Sequence, residues 1–527
     1  MKHYRLWLTV LLLAFALRMV HLVARPLWYD EAFAILYGSL SPARMVYGTV
    51  TPVSGAGAAD VHPLLYYFLL HGWMGLVGHS PLAARFLSVI LGTVTVALLA
   101  RLAAWCFDRR TGLAVALLAA VNPFHVAYSQ EARMYALLGL AAVLAAWGLL
   151  RALGDGGTRG RGDAETRRHG DAETRGRGDT EHETRNTPLV IVYWSLYIVA
   201  AALTLYAHNL GAAALLALHL LVVTRRRWWR RLPALLLADL AALALFSPWL
   251  LAVLPGQVSF VERSYWVTPP GPVELARAAM QPVLTFYEPA PTWVLALGLF
   301  VGLLLLALLA LRAGRSRLRA GWFLLLWATP ILVLLLLSLW RPVYLERALL
   351  PSALFYLVAV GWLLVRGGLP RPLRWGLSAL LAVTVAGSLL THYTYARFPR
   401  PPFDEAAATL RERVGPGDAV VHTNKLTYFP MHFYAPDLPA AFLADPPGSP
   451  QDTLAYPTQE ALGLFASATI SEAVGAAERV WLVYFPQEIA EWGGVHPALT
   501  WLEGRFVLVD QQPFNDLVVA LYRREGP

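Results

Sequence analysis

Up to about residue 392 the chain is organised by eleven apolar runs, near 6–24, 82–107, 111–128, 132–152, 189–207, 210–224, 232–254, 293–311, 320–340, 345–365 and 375–392. A helix rises 1.5 Å per residue, so about twenty apolar residues cross the hydrocarbon core of a bilayer. Each run therefore predicts a membrane helix, the shortest of them at the margin. The connections Asp108-Arg109-Arg110, Arg225 to Arg231, Arg312 to Arg319 and Arg366 to Arg374 are rich in arginine. All four fall on the side of Lys2 and Arg5, which the positive-inside rule makes cytoplasmic. The stretch His62 to Gly78 is also apolar, but a crossing there would put every later arginine-rich connection outside. It is expected instead as a juxtamembrane helix in the outer interface, with Tyr66, Tyr67 and Trp73 at the headgroup level. On this topology the N-terminus is cytoplasmic, and Asp30, Glu31, His62, Glu131 and the tail are extracytoplasmic. The first run has the basic start of a signal peptide but no small-residue cleavage site after it, so it is expected to be retained.

From about Tyr393 the pattern changes. Phe403 to Val414 reads as an amphipathic helix, and Asp418 to His422, Arg479 to Phe485, Phe506 to Asp510 and Leu517 to Tyr522 read as buried strands. The expected fold is thus a mainly α, polytopic membrane bundle over residues 1–392, with a first outer loop at 25–80, and a soluble α/β domain over 393–527. Pro399-Arg400-Pro401-Pro402 reads as a rigid linker between them. Residues 158–181 are three octads of the type Thr-Arg-Gly-Arg-Gly-Asp-Ala-Glu. They have no apolar face to bury, so the connection 153–188 is expected to be a disordered cytoplasmic insertion.

Composition agrees: 57% of the residues are hydrophobic and 15% charged, values of a membrane protein and not of a soluble domain. The single cysteine, Cys106, rules out a disulfide within the chain and a cysteine-based metal site. The net charge of +9 conceals −7 from Tyr393 onward and +16 before it. The positive excess lies in short connections and reports topology, not nucleic-acid binding.

Two acidic sites stand at the outer ends of apolar runs, where carboxylates are costly. Asp30 and Glu31 follow the first run, and Glu131 with Arg133 follows Asn122-Pro123, which would bend or end the preceding span. Carboxylates converging on one cavity can keep one of them as a base or hold a divalent cation. The plainer alternatives are helix capping for the first pair and a mutual ion pair for Glu131 and Arg133. His62, after Asp60, can meet a phosphate or simply be solvated. Arg347, after Tyr344, forks well onto phosphate oxygens, although snorkelling to headgroups explains it as cheaply. His208 and Asn209 stand at the outer end of their span. The loop 255–292 holds Glu262, Arg263, Tyr265, Trp266 and Tyr287, a mixture suited to sugars. With no Walker loop, strand-linked dinucleotide glycines or His-Glu-x-x-His, nucleotide-driven transport and zinc peptidase chemistry have no support, and no nucleotide cofactor is expected.

Leu27-Trp28-Tyr29-Asp30-Glu31-Ala32, His62-Pro63-Leu64-Leu65-Tyr66-Tyr67, Asn122-Pro123-Phe124-His125 and Tyr128 to Leu137 resemble, in order and spacing, the multi-spanning GT-C glycosyltransferases. These include the protein O-mannosyltransferases, the aminoarabinose transferase of lipid A and their bacterial relatives. Tyr206 to Asn209, Phe246 to Leu250 and Glu346 to Pro351 match more loosely. Leu64 replaces the usual second proline. The resemblance implies inverting transfer of a sugar from a polyprenyl-phosphate donor to an acceptor hydroxyl on a lipid, glycan or protein, at the outer face of a bacterial plasma membrane. In it Asp30 is the base, supported by Glu31, and Glu131 positions the acceptor or, with Asp30, a divalent metal. His62, Arg133, Arg347 and Tyr344 hold the donor phosphate, and Tyr135, His208 and Asn209 take the acceptor or sugar. Membrane lipids are partners and nucleic acid is not. A lipid-linked glycan transporter would use such a cavity without bond making, and a glycan ligase or polymerase would share the donor.

Overall fold

The computed structural model describes residues 2–51, 62–154, 179–253, 267, 269–284, 291–313, 318–445 and 453–525. Asp60, most of the octads, and Glu262, Arg263, Tyr265, Trp266 and Tyr287 lie outside the described residues. The chain forms two compact units, each described by itself. Met1–Val20, Ser88–Leu250 and Val267–Tyr393 make the first; His21–Leu87, Leu251–Trp266 and Thr394–Pro527 make the second. The first outer loop, which the sequence reading places with the membrane portion, thus falls in the same unit as the tail.

The first unit is helical. It holds α1 (Lys2–Met19), α5 (Pro81–Cys106, from Ser88 onward), α6 (Arg109–Val121), α7 (Pro123–Ser129), α8 (Tyr135–Ala152), α9 (Asp179–Ala207) and α10 (Gly211–Val223). After these come α11 (Leu232–Ala252), α12 (Pro272–Met280), α13 (Thr292–Ala313), α14 (Leu318–Ser338), α15 (Leu350–Arg366) and α16 (Arg371–Thr394). Each of the eleven apolar runs is helical over most of its described length. Among the described residues eight helices are long and apolar enough to cross a membrane, or nine if α6 and α7 form one broken span, and the chain is a multi-pass membrane protein. The span ending in α15 is the centre of the bundle: 89% of its apolar window is buried, against 28% for the span ending in α11. Close helix contacts need small residues, because lipid offers no hydrophobic drive to press helices together. A Cβ on Gly148 of α8 would stand 2.8 Å from the Tyr197 nitrogen of α9, and one on Gly361 of α15 would stand 2.5 Å from Val115 of α6.

In the second unit, α2 (Tyr29–Gly38), α3 (Pro42–Val50) and α4 (Leu65–Val77) come from the first loop. Helix α4 has 13 residues, shorter than a span, and buries Tyr66, Tyr67, Leu70 and Met74. The tail supplies α17 (Phe403–Arg413), β1 (Ala419–His422), α18 (Lys425–Tyr434), β2 (Ala440–Leu443), α19 (Tyr456–Leu462) and β3 (Ala466–Ser467). It continues with α20 (Ile470–Val474), β4 (Arg479–Tyr484), α21 (Pro486–Glu491), α22 (Pro497–Glu503), β5 (Phe506–Phe514) and β6 (Leu517–Arg524). The sheet order is β3-β2-β1-β4-β6-β5; the first four strands are parallel, and β6 and β5 are each antiparallel to their predecessor in that order.

Successive side chains of a strand point to opposite faces. Val420, Trp481, Val483, Val519 and Leu521 accordingly pack beneath Phe403, Ala406, Ala407 and Leu410 of α17. Val421, Val480, Leu482, Val518 and Ala520 pack on the other side with α20 and α22. With both faces covered, β1 reads as an unbroken apolar run. Phe506 to Asp510 departs from the expectation of a buried strand: β5 is a sheet edge paired only with β6, and Val507, Leu508 and Val509 are about half exposed.

Helices of the first loop dock on those of the tail within this unit. Phe429 of α18 packs edge-on against Tyr29 and Phe33, with ring centroids 5.7 and 5.8 Å away. Gly48 of α3 lies so near α19 that a Cβ would stand 2.8 Å from that of Ala461, and the Gly48 carbonyl accepts from Thr458 Oγ1 at 2.7 Å.

Candidate active site

In the second unit Asp30 and Glu31 occupy the first turn of α2, where carboxylates suit the positive end of the helix dipole. Their surroundings separate them. Glu31 is fully buried. Its Oε1 accepts from Arg85 Nε at 2.8 Å, and its Oε2 accepts from Arg85 Nη2 at 2.7 Å and from Arg400 Nη1 at 2.6 Å. Arg85 also donates to the carbonyls of Leu22, Arg25 and Pro26. Glu31 therefore ties the chain entering α2, the start of α5 and the beginning of the tail into one buried ion cluster. Asp30, one residue earlier, is only half-buried. His62 is half-buried just ahead of α4. Lys425 places its ammonium 5.7 Å from the Tyr29 ring centroid.

In the first unit Pro123 breaks the path from α6 to α7, which bend by 60°. A proline has no N–H to give the carbonyl four residues back, so the break frees acceptors inside an apolar bundle. Arg18 supplies the donors. Its guanidinium bonds the carbonyls of Ala119 and Ala120 at 3.3 and 3.2 Å and His125 Nδ1 at 2.9 Å, fully buried. Gln130 extends the network, donating to the carbonyls of Arg18 and Val20 and meeting His392 Nε2 at 2.8 Å through Oε1. Gly92 passes too close to Ser129 for any side chain. These contacts fix the turn that carries Glu131 and Arg133, both buried. Sequence reasoning missed Arg18 and His392; a charged residue inside the first apolar run was the available signal.

Tyr135, the first residue of α8, gathers several of the expected residues. Its ring centroid lies 6.0 Å from that of His208, and the Arg347 guanidinium stands 5.5 Å over it. Asn209 adjoins, accepting from Trp249 Nε1 at 3.1 Å. Tyr344 instead packs into an apolar cluster with Ala213, Ile331, Leu334 and Leu349. Arg133, Glu131, Arg347, Tyr135, His208 and Asn209 thus belong to the first unit, and Asp30, Glu31 and His62 to the second. Among the described residues no three His, Cys, Asp or Glu side chains form a group able to hold a metal.

The tail has a polar cluster of its own at the carboxyl ends of β1 and β4. Thr423 Oγ1 donates to Glu488 Oε2 at 2.7 Å, and His496 Nε2 lies 3.7 Å from Glu488 Oε1. Burial pushes the Glu488 carboxyl up to about 7, with hydrogen bonds from Thr423 and Asn424 opposing it, and burial holds His496 below its ordinary range. A folded-state value above the unfolded one means stability that is complete below pH about 4.5 and declines as pH rises through 7. Glu488→Gln is expected to flatten that decline, which amounts to roughly 3 kcal/mol. Thermal unfolding of the full protein between pH 4.5 and 7.5 checks it, wild type and variant sharing one slope if Glu488 is not the cause.

Residues 61–160 match the family model of dolichyl-phosphate-mannose-protein mannosyltransferases. No curated protein matches the chain. The fold is similar to that of ArnT from Cupriavidus metallidurans in the apo state, with a TM-score of 0.60 at 13% identity over 99% of this chain and 98% of that one. The same protein bound to undecaprenyl phosphate gives 0.56 at 13% identity, covering 98% of each chain. The archaeal oligosaccharyltransferase AglB from Archaeoglobus fulgidus, in complex with an inhibitory peptide and a dolichol-phosphate, gives 0.50 at 14% identity over 99% of this chain and 74% of that one. The chain is thus a multi-spanning membrane protein with a fold similar to those of ArnT and AglB.

Proposed function

We propose that the protein transfers a sugar from a polyprenyl-phosphate donor to an acceptor hydroxyl at the extracytoplasmic face of a plasma membrane, with inversion. Asp30 takes the proton from the acceptor hydroxyl, and that oxygen attacks C1 of the sugar from the face opposite the phosphate. The C1–O bond to phosphate breaks, and polyprenyl phosphate leaves with the electron pair. The leaving group is already a good one, so the protein need supply only a base, charge neutralisation and alignment. Arg133 and Arg347 serve the phosphate, Tyr135, His208 and Asn209 the sugar or acceptor, and Glu31 holds α2 in place.

The observation that carries this reading is the division of labour between two adjacent carboxylates. Glu31 is locked by two arginines while Asp30 is only half-buried. The mannosyltransferase match and the polyprenyl-phosphate ligands of ArnT and AglB support the donor class. The test is turnover in lipid nanodiscs with a panel of polyprenyl-phosphate sugars and candidate acceptors. Release of free polyprenyl phosphate is expected, with kcat/KM falling about a hundredfold in Arg347→Ala, the scale of removing a donor to developing charge. Donor binding with no cleavage for any acceptor would instead favour a transporter.

A further inference from the structure

In the first unit, arginines stitch the arginine-rich helix ends to one another. Arg319 Nη1 donates to the Cys106 carbonyl at 2.6 Å, and Arg312 Nη1 to those of Gly367 and Gly368 at 3.3 and 3.0 Å. Arg366 Nε donates to Asp108 Oδ2 at 2.5 Å, and the Arg225 guanidinium lies 4.8 Å over the Trp322 ring. The helix ends at residues 106–110, 225–231 and 366–371, and those at Arg312 and Arg319, therefore share one face.

On that face a cavity of about 270 Å³ opens, lined by Asp108, Arg109, Arg110, Val365 and Arg366. Its one carboxylate is committed: Asp108 caps α6 through the amides of Arg110 and Thr111 and pairs with Arg366. Arg109 and Arg110 are exposed, and their side chains have no acidic or hydrogen-bonding partner among the described residues. Two free guanidiniums beside a paired one make a cationic wall suited to a phosphate. Val365 adds an apolar edge, and the helix ends on this face expose Leu311 (66%) and Trp375 (71%). A soluble anion has no use for that border, whereas the acyl chains of a lipid do.

We infer that this cavity binds the phosphodiester headgroup of an anionic phospholipid, with Arg109 and Arg110 on the phosphate and the acyl chains along the neighbouring apolar helix surfaces. None of the residues that line it is assigned to glycosyl transfer, and the inference stands or falls independently of that reading. Basic residues near an anionic leaflet are a general feature of membrane proteins. The cavity is what distinguishes these two.

The test is native mass spectrometry of the full chain exchanged into mixed phosphatidylglycerol and phosphatidylcholine. Arg109→Ala/Arg110→Ala is compared with Arg230→Ala/Arg231→Ala, an exposed pair on the same face outside the cavity. The first pair is expected to lower the preference for retained phosphatidylglycerol about tenfold or more, and the second to leave it within about twofold. Arg109→Lys/Arg110→Lys, which keeps the charge, is expected to retain most of the preference. Equal losses in both alanine pairs would reduce the site to face-wide attraction and overturn the inference. Displacement of bound phosphatidylglycerol by an equal concentration of inorganic phosphate would also overturn it, assigning the cavity to a soluble anion.

Discussion

Glu31→Ala is expected to cost about 3–5 kcal/mol of folding stability, the usual consequence of removing one partner from a buried ion cluster. The loss comes from what remains. Arg85 and Arg400 have 1% and 5% exposed side chains, and each would keep its charge after losing the Glu31 carboxylate it donates to. Arg85 would retain its three carbonyl acceptors, so its orientation survives better than its charge balance. Glu31→Gln keeps the shape and one acceptor oxygen and should fall between wild type and alanine. Thermal unfolding in nanodiscs measures both. Replacing the whole cluster, as Glu31→Leu/Arg85→Met/Arg400→Met, separates stability from alignment. Burying three apolar side chains in place of three charges is often neutral or stabilising. If Glu31 serves to aim α2, the triple variant melts near wild type yet loses kcat with little change in donor KM. A single-alanine melt unchanged from wild type would remove the clamp from the account.

Legibility in the sequence followed the strength of the local signal. The apolar runs were readable because a bilayer imposes both length and composition on a helix, and among the described residues eight of them, or nine with the bent pair, form helices long and apolar enough to cross a membrane. The juxtamembrane assignment of His62 to Gly78 rested on the charge of distant loops, and α4 is indeed shorter than a span. In the tail β1, β4 and β6 were visible as apolar runs. Strand β3, with two residues, is too short for periodicity to register, and β2, no longer than β1, is buried over only its last two residues. The β5 error has a physical source: Val507-Leu508-Val509 looks like a core run, but only the sheet order reveals that it is an edge.

The candidate site was legible in part for a related reason. Residue types and motif spacing pointed to Asp30, Glu31, Glu131 and Arg133, but not to what each side chain touches. Nothing near Glu31 in sequence announces Arg400, which lies 369 residues away. Nor does Arg18, inside an apolar run, announce that it meets carbonyls 101 and 102 residues on. Such long-range polar pairs leave no periodic trace. They are also why the first loop falls in one compact unit with the tail, where a reading by sequence neighbourhood would separate them.

Asp30→Asn reverses the expectation for its neighbour. Asp30 is half-buried in the first turn of α2, outside the fully buried cluster of Glu31, so the amide is expected to cost less stability than the loss of Glu31. Its chemical cost should be far larger. General-base assistance contributes about 10²–10⁴ in rate, and each factor of ten is about 1.4 kcal/mol of barrier. The amide is nearly isosteric and cannot accept the acceptor's proton. The expected variant therefore folds, binds donor with affinity within a few-fold of wild type, and turns over at least a hundredfold more slowly. A proton-transfer role predicts that kcat and kcat/KM fall together, since the interaction is made only in the transition state. Single-turnover release of polyprenyl phosphate measures this directly, beside a melting curve that excludes unfolding. Activity within tenfold of wild type would take the base assignment from Asp30. A loss confined to KM would make Asp30 a binding group. The two neighbouring carboxylates then give opposite signatures, stability without chemistry for Glu31 and chemistry without stability for Asp30, and a shared signature would mean that α2 does not divide their labour.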